Sequence, residues 1–426
     1  MADVLVHSAS ELVVGPQGEA KKGSGRETLE RHEDGAVAIV DGRVASVGST
    51  ANVRREYPAE NADRVIDATG NTVLPGFVDP HTHALFAGDR TDEFVARTEG
   101  KTYTEIMQAG GGIAVSVEAV RAASDEQLRA NLEKQLDVLL AHGTTTVEVK
   151  SGYGLDTETE LRMLEAIQAV DESHPVDLVA TFMGAHAIPE EMETAAYVDQ
   201  VIDEQLPAVA KQGIATFCDV FCEAGVFSVE QSRQILQAGQ EYGLRPKLHA
   251  EEFERIGGAQ LAAELEAVSA DHLLAATAAD AEALREAGVV ATFLPATALS
   301  LGEQYADPEP FLDGPIALAT DLNPSCFVHS MATVTSLACM RMGIHPSRAI
   351  RAGTADAARA LDSEGENSTG AIPAGTGTLT EGTPADLAIF DLPSHIHIPY
   401  NAGTNRVETV IKDGEIVVGD NRGANR

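Results

Sequence analysis

The sequence predicts an α/β protein, a (β/α)8 TIM-like barrel joined to a small β-sandwich domain built from both termini. Two observations lead to this fold. Eight apolar segments typical of buried strands recur between residues 72 and 323, and most intervals between them show helical spacing of apolar residues. Short alternating segments with hairpin turns occupy both ends of the chain, which indicates a separate β-rich unit.

Residues 1–70 are expected to form the N-terminal part of that β domain. Residues 36–49 contain two alternating runs joined at Asp41-Gly42, a dipeptide typical of tight hairpin turns. Residues 366–426 are expected to supply the C-terminal part, with a second hairpin turn at Asp413-Gly414. Its predicted strands lie at 385–391 and 407–418.

Residues 71–365 are expected to form the barrel. A helix is predicted at 124–143, where apolar residues recur at helical spacing and a glycine ends the segment. Capping boxes are predicted to open two further helices, at Thr157–Glu160 and Ser228–Gln231. A doubly wound sheet is the alternative, but no glycine-rich phosphate loop follows any of the strands. The predicted barrel strands are 72–83, 144–150, 176–186, 217–224, 245–252, 267–273, 289–295 and 315–323.

The chain carries 66 Asp and Glu against 30 Lys and Arg, a formal net charge of −36. This balance argues against nucleic acid and against a membrane surface as partners, because both attract clustered basic residues. Because the acidic residues are spread along the chain, we expect a halophilic protein, in which high salt screens the self-repulsion. An ordinary acidic protein is the alternative.

We expect a soluble, cytoplasmic protein. The sequence has no apolar stretch of about 18 residues, and its first residues carry acidic groups where a signal peptide needs a basic start. Four cysteines in a chain of this length do not form a disulfide framework. A zinc knuckle at Cys218 and Cys222 is disfavoured because no second cysteine pair accompanies them.

The residues capable of chemistry cluster at the predicted strand ends, where the active site of a barrel lies. The first strand ends in His81-Thr82-His83, a spacing that places two imidazoles on one face of an extended chain. With His249 from the fifth strand and Asp321 from the eighth, they supply three nitrogens and one carboxylate. This set suits one zinc or iron ion and leaves room for a water. A second pair, His395 and His397, lacks such company and is not predicted to bind metal.

Such a metal lowers the pKa of a bound water and polarises a carbonyl, so hydrolysis of a C–N bond is the predicted reaction class. A nearby carboxylate can take the proton of the water and pass it to the leaving nitrogen. Arg90, beyond the first strand, suits a substrate carboxylate, although a loop salt bridge to Asp89 or Asp92 is the alternative. Tyr153, between two glycines, and His186, at the end of the third strand, are further candidates for substrate contact.

Six segments together make the chain resemble the amidohydrolase superfamily and, within it, the imidazolonepropionase family. The resemblance covers essentially the whole chain. It implies hydrolysis of the cyclic amide of 4-imidazolone-5-propanoate to N-formimidoyl-L-glutamate in L-histidine degradation, with water as the nucleophile, and it implies a homodimer. The matching segments are LPGFVDPHTH (74–83), HALFAGDRTDEF (83–94), TTVEVKSGYGLD (145–156), TFMGAHAIP (181–189), KLHAEEF (247–253) and ATDLNP (319–324).

The resemblance also implies roles for individual residues. One Zn2+ or Fe3+ per subunit is held by His81, His83, His249 and Asp321. The catalytic residues are Glu252, which faces the ring and the water, His272, which supports it, and Asp321, which shuttles the proton. The substrate contacts are Arg90, Tyr153, His186, Glu252, Asn323, Ser325 and Cys326. The last two depart from the family, which has glycine and a small hydroxyl residue at these positions.

Three alternatives stay open. Some amidohydrolases bridge two metals with a carboxylated lysine from the fourth strand. Lys150 is predicted on the second strand, so one metal is favoured, and a second metal involving His272 is the alternative. A related amidohydrolase, such as a hydantoinase or a deaminase acting on a carboxylate-bearing substrate, would use the same ligands. A barrel without activity is disfavoured because all four ligands, Glu252 and His272 are present.

Overall fold

The structure of the protein, a computed structural model, describes residues 1–16, 29–101, 105, 111–361 and 370–419. Within these ranges the chain forms two eight-stranded sheets, one mixed and one parallel. No helix in the described ranges has both the length and the apolar character to cross a bilayer. The C-terminal part of the β domain predicted at 366–426 is thus described for 370–419, and the rest of it lies outside the described residues.

The mixed sheet takes its strands from both ends of the chain, as predicted. From one edge to the other, its strands are 415–418, 407–412, 387–390, 72–75, 4–16, 29–40 and 43–49, and strand 64–67 pairs parallel to strand 4–16. Both predicted hairpin turns are confirmed, and their two central residues have positive φ, the conformation for which Asp-Gly is favoured. The strands are β1 (Val4–Pro16), β2 (Leu29–Val40), β3 (Arg43–Ser49), β4 (Arg64–Asp67), β5 (Thr72–Pro75), β14 (Leu387–Phe390), β15 (Val407–Lys412) and β16 (Glu415–Val418).

The parallel sheet confirms the predicted barrel. Its eight strands neighbour one another in chain order. Beyond the strand ends, Thr320 N donates to Asp79 Oδ1 over 3.0 Å and Asp321 N donates to His81 O over 3.1 Å, which joins the last strand to the first. The strands are β6 (Phe77–Asp79), β7 (Thr144–Lys150), β8 (Asp177–Ala185), β9 (Phe217–Cys222), β10 (Arg245–Ala250), β11 (Ser269–His272), β12 (Val290–Phe293) and β13 (Ile316–Leu318).

The first predicted barrel strand, 72–83, is wrong as a single element. Thr72–Pro75 belongs to the mixed sheet, and only Phe77–Asp79 pairs within the barrel. The chain passes between the sheets at Gly76, where a Cβ atom would lie 2.2 Å from Thr145 Oγ1. Glycine is therefore the residue that fits this close crossing, and the apolar run around it hides the break from a periodicity argument.

Most of the helices pack around the barrel, whereas Thr50–Glu56 packs against the mixed sheet. The helix predicted at 124–143 is confirmed as Asp125–Ala141 with a capping box from Ser124, and the Ser228 box is confirmed too. The Thr157–Glu160 box is wrong, since Asp156 caps that helix by accepting from Thr159 N. The helices are Thr50–Glu56, Thr91–Thr98, Ile113–Ala122, Asp125–Ala141, Thr157–Asp171, Thr194–Gln200, Leu206–Gln212, Val229–Glu241, Gly258–Glu264, Ala278–Ala287, Pro295–Leu301, Met331–Met342, Pro346–Ala352, Ala355–Arg359 and His397–Tyr400, with 3-10 turns at Ala59–Asn61 and Glu309–Phe311 and a π-helical turn at Val201–Gln205.

Buried polar contacts join the mixed sheet to the barrel. His395 Nδ1 lies 2.8 Å from Glu11 Oε2 in β1, and its Nε2 lies 2.8 Å from the hydroxyl of Ser347. Lys412 in β15 pairs with Asp177 in β8 at 3.2 Å. Because all of these side chains except the partly exposed Asp177 are buried, the contacts hold the two sheets together in a fixed arrangement.

Candidate active site

Four histidines and an aspartate meet at the carboxyl ends of the barrel strands, as expected for a barrel enzyme. His83 Nε2 and His249 Nε2 are 3.2 Å apart. Asp321 Oδ1 lies 3.6 Å from His81 Nε2 and 3.7 Å from His83 Nε2. The group is buried throughout, and His272 closes one side of it, with its ring centroid 5.1 Å from that of His249.

The donor atoms of this group fit a metal ion. Among the described residues, His81 Nε2 and Asp321 Oδ1 are buried without a hydrogen-bond partner, an arrangement that costs free energy unless a ligand occupies the space between them. Burial lowers the pKa of both His81 and His83 well below the usual value, which keeps the imidazoles in the neutral form that metals bind. Ligand atoms lie within 4.8 Å of one another in two triplets, His81-His83-His249 and His81-His272-Asp321.

Each of three donors is oriented by a buried neighbour. His81 Nδ1 lies 2.6 Å from Asp271 Oδ2, and His249 Nδ1 lies 3.1 Å from Asp219 Oδ1. These contacts fix the Nδ1–H tautomer and leave Nε2 to face the cavity. Thr297 Oγ1 donates to Asp321 Oδ2 over 2.6 Å, which turns the other carboxylate oxygen toward the histidines.

Sequence reasoning assigned no role to Asp219, Asp271 or Thr297. The available signal was a carboxylate in the middle of an apolar strand, FCDVFC (217–222), because a buried charge requires a partner. That signal does not name the partner, since Asp219 and His249 are brought together only by the pairing of β9 with β10.

Lys150 is fully buried at the end of β7, the second barrel strand, as predicted. Its Nζ lies 2.6 Å from Glu148 Oε1 and 2.8 Å from Asp219 Oδ2. Burial opposes the charge, but the two carboxylates outweigh it and raise the pKa of Lys150 above the usual value. An ammonium held in this way is not the neutral amine that carboxylation requires, so the structure offers no reason to invoke a bridging lysine.

Glu252 and His272 face each other beside this group of candidate ligands, with 3.7 Å between Oε2 and Nε2. Burial, followed by the charge of Asp321, raises the pKa of Glu252 well above the usual value. A carboxylate with a raised pKa is a stronger base and suits proton transfer near neutral pH. The backbone of His272 has a positive φ of 77°, a strained conformation of the kind that accumulates at functional sites.

Arg90 lies close enough to His186 for its charge to help lower the pKa of that imidazole, and it contacts three side chains. Its Nε donates to Ser116 Oγ over 3.1 Å and its Nη1 donates to Ser325 Oγ over 3.0 Å, while Glu93 lies 3.9 Å away. Asp89 accepts instead from Thr91, at 3.0 Å from its backbone N, which removes one of the two loop salt bridges considered for Arg90. A guanidinium held mainly by hydroxyls keeps its charge available to an anion.

Tyr153 and His186 line the wall next to His83. The ring of His186 stacks on His83 with centroids 4.8 Å apart, and the ring of Tyr153 lies 5.3 Å from that of His186. His186 Nδ1 lies 3.0 Å from the carbonyl oxygen of Gly152, and burial lowers the pKa of His186 to about 3. The neutral ring therefore offers its Nε2 to the cavity as an acceptor.

The three residues predicted after Asp321 form a tight turn. Asn323 Nδ2 donates to Asp321 O, and Asn323 Oδ1 accepts from Ser325 N, both over 2.8 Å. Ser325 lies against Arg90, as described above. Cys326 is fully buried in the barrel core, with Sγ 3.7 Å from Thr320 O. The structure thus brings Ser325 to the cavity edge and Cys326 behind it, and their predicted substrate contacts stay predictions.

Comparisons with known families and sequences were consistent with one another. Residues 72–417 match the amidohydrolase family, and residues 35–59 match the imidazolonepropionase-like composite domain of bacteria. The chain is 62% identical over 424 residues to the imidazolonepropionase of Halobacterium salinarum, with 98% of each chain covered. It is 56% identical over 417 residues to that of Haloarcula marismortui, covering 97% of this chain and 96% of the relative.

Solved structures with low sequence identity share the fold. An adenosine deaminase from Xanthomonas campestris with bound zinc superposes with a TM-score of 0.72 at 17% identity, covering 98% of this chain and 93% of the other. A triazine hydrolase variant superposes with a TM-score of 0.71 at 16% identity, covering 98% and 94%. At this identity the likeness concerns the barrel and its accompanying sheet.

Proposed function

We propose roles for the individual residues from one premise: the chain belongs to the amidohydrolase family and, within it, to the imidazolonepropionases. The enzyme is a hydrolase that acts on a C–N bond of a cyclic amide. Its substrate is 4-imidazolone-5-propanoate, which it opens to N-formimidoyl-L-glutamate in the degradation of L-histidine. The observation that best supports the assignment within the site is the convergence of His81, His83, His249 and Asp321 in one buried cavity.

In this proposal those four residues hold one Zn2+ or Fe3+ per subunit. Three neutral imidazoles and a carboxylate are ligands that both ions accept. When bound, the ion supplies Lewis acidity, which polarises the substrate carbonyl and makes water a better nucleophile near neutral pH. Asp271, Asp219 and Thr297 hold the ligands in the orientation that this role requires.

Proton transfer is assigned to Glu252, His272 and Asp321, the last of which is also a proposed ligand. Glu252, whose pKa is raised by burial, accepts the proton of the attacking water. His272, 3.7 Å away, shares the proton and keeps Glu252 facing the ring. Asp321 then takes this proton from Glu252 and delivers it to the ring nitrogen as the C–N bond breaks.

The propanoate group binds on the side of the site that carries Arg90, Tyr153 and His186. Arg90 supplies the positive charge, Tyr153 its hydroxyl, and His186 packs between Tyr153 and His83. Ser325 fixes the guanidinium by accepting from Nη1. Asn323 and Cys326 shape the turn that carries Asp321 and thereby border the product. An anionic group placed here gives the charged guanidinium of Arg90 a partner of opposite sign.

The test is a spectrophotometric assay of the loss of 4-imidazolone-5-propanoate in multimolar KCl, with metal-loaded wild type beside a His249→Ala variant. We expect loss with the wild type only. Absence of turnover by folded, metal-loaded wild type would refute the assignment and favour another amidohydrolase with a carboxylate-bearing cyclic amide as substrate.

We also propose that the enzyme is a cytoplasmic homodimer adapted to high salt, divided at residues 70/71 and 365/366 into the small β domain and the barrel. The support for salt adaptation is the net charge of −36. Light scattering tests the homodimer, because it should give twice the mass of one chain. Thermal unfolding at low and multimolar KCl tests salt adaptation, which predicts a higher midpoint at high salt because screening weakens the repulsion.

A further inference from the structure

The loop that carries Tyr153 is held by a carboxylate with no role in the chemistry proposed above. Glu160 is fully buried in the first turns of the helix Thr157–Asp171. Its Oε2 accepts from Gly152 N over 2.9 Å, and its Oε1 accepts from Gly154 N over 2.8 Å and Leu155 N over 2.9 Å. The three amides flank Tyr153 on both sides.

The same loop also positions His186. Gly152 O accepts from His186 Nδ1, as described above, so the backbone N–H of Gly152 is held by Glu160 and its carbonyl group by His186. Gly152 has a φ of +99°, and a Cβ there would lie 2.9 Å from Met183 O and 3.0 Å from His186 Nδ1. The loop therefore fits this space only as glycine, with little freedom to move.

Gly154 shows the same close fit on the other side of Tyr153. A Cβ at Gly154 would lie 2.7 Å from Glu160 N and 2.9 Å from Glu160 Oε1. The carbonyl oxygen of Gly154 accepts from Arg121 Nε over 2.8 Å, which ties the outer end of the loop to the helix Ile113–Ala122. Both peptides next to Tyr153 are thus fixed by side chains from other elements.

We propose that Glu160 is a positioning residue for recognition of the substrate carboxylate, acting through Tyr153 and His186. The proposal deepens the function assigned above and rests on it. A charged acceptor shared by three backbone N–H groups holds a loop more firmly than neutral hydrogen bonds do. Loss of this acceptor displaces the wall that binds the propanoate group and leaves the metal ligands, which lie on other strands, in place.

The experiment compares Glu160→Gln with the wild type and with Glu158→Gln, an exposed glutamate on the same helix. Steady-state assays with 4-imidazolone-5-propanoate give kcat and KM separately, and metal content and the thermal midpoint are measured on the same preparations. We expect Glu160→Gln to raise KM about tenfold with kcat changed less than about threefold, as loss of a charge-assisted hydrogen bond predicts. Metal content stays at the wild-type value, and Glu158→Gln behaves as wild type.

Two further variants separate positioning from general stability. Glu160→Asp keeps the charge with a shorter reach and is expected to recover part of the KM; it also carries the comparison if Glu160→Gln does not fold. A double-mutant cycle with Tyr153→Phe is expected to be non-additive, because the two residues act on one contact.

An unchanged KM in a folded Glu160→Gln enzyme would overturn the inference, as would an unchanged KM in Glu160→Asp where Glu160→Gln does not fold. Additive effects in the cycle, or a loss of metal with an equal fall in kcat, would also overturn it. In all three cases the wild type still turns over the substrate, so the proposed function stands. Lack of turnover by the wild type would instead refute the proposed function and this inference with it.

Discussion

The chain contains two His-x-His motifs, and their first histidines, His81 and His395, differ in the surroundings of Nε2. His81 and His395 are both buried, and each contacts a carboxylate through Nδ1, at 2.6 Å from Asp271 and 2.8 Å from Glu11. The Nε2 of His395 reaches the hydroxyl of Ser347, whereas the Nε2 of His81 has no hydrogen-bond partner among the described residues. Burial and a carboxylate partner therefore occur in a structural histidine as well as in a candidate ligand.

The surroundings of Nε2 distinguish His81 from His395. At His81 it faces Asp321 Oδ1, itself without a hydrogen-bond partner, and neutral imidazole beside an unpaired carboxylate oxygen is a costly arrangement without a cation. At His395 every ring nitrogen has a partner, so the motif stabilises the junction between sheet and barrel. The comparison predicts that substitutions at the first motif change chemistry and metal content, and that substitutions at the second change only stability.

The largest effect is expected for His81→Ala. Removal of one of the four proposed ligands leaves an incomplete set, so metal content should fall below one per subunit and kcat/KM should fall by about 10³-fold or more. Elemental analysis of the purified protein and the substrate assay measure both. His397→Ala is the matched control. His397 belongs to the other motif, and its half-buried ring contacts Ser394. Full activity in His81→Ala would remove the distinction between the motifs.

Glu252→Gln is expected to lower kcat by about 10²- to 10⁴-fold, the usual range for loss of a general base, while metal content stays unchanged. Because burial raises the pKa of Glu252, the carboxylate forms only as pH rises through that raised value. The wild-type rate should therefore decrease on the acidic side, and this limb should disappear in the variant. A pH-rate profile measures it.

The control for Glu252→Gln is Glu254→Gln, two residues along the same loop with an exposed side chain. It should keep the wild-type profile. If Glu252→Gln also lost its metal, the effect would belong to the ligand group, and the role assigned to Glu252 in proton transfer would be wrong.

The strand ends were predictable from the sequence because strand periodicity and barrel topology place them at one rim. His81, His83, His249 and Asp321 meet there although 240 residues separate the first from the last. Gly76, by contrast, shows why the first strand was misjudged: the apolar pattern continues while the chain changes sheets. A pattern reports burial and not the sheet in which a strand pairs.

The hydrogen-bond partners of the buried carboxylates could not be predicted from the sequence. Glu160 stands at the position of a capping-box glutamate. Its carboxylate instead accepts hydrogen bonds from three backbone amides of the loop that precedes its helix. Asp219 contacts a histidine 30 positions along the chain. Such choices depend on tertiary contacts, and local spacing carries no information about them.

An intermediate effect is expected for Asp219→Asn. The asparagine no longer provides a charged acceptor for His249 Nδ1–H, so metal affinity should fall by about 10- to 100-fold, the range for partners that orient a metal ligand. Competition with a chelator measures the affinity. Asp280→Asn is the control, since Asp280 is equally buried but pairs with Arg255 at 2.7 Å instead of a histidine. Equal losses of affinity in both variants would indicate general destabilisation.

The smallest effect on activity is expected at the second motif. Burial raises the pKa of Glu11, but hydrogen bonds from His395 and Arg31 outweigh it and lower the pKa from 4.5 to about 2. A carboxylate with a lowered folded-state pKa contributes stability above pH 4.5 that is lost as pH falls toward 2. Glu11→Gln should therefore unfold more easily at neutral pH, by roughly 1–2 kcal/mol, and should lose less stability between pH 4.5 and 2 than the wild type.

Denaturant unfolding across this pH range, with the exposed Glu33→Gln as control, measures the difference. Activity and metal content at neutral pH should stay unchanged, because Glu11 touches the junction between the sheets and none of the proposed ligands. Loss of metal in Glu11→Gln would mean that the junction acts on the active site, and the separation of a structural from a functional histidine motif would then fail.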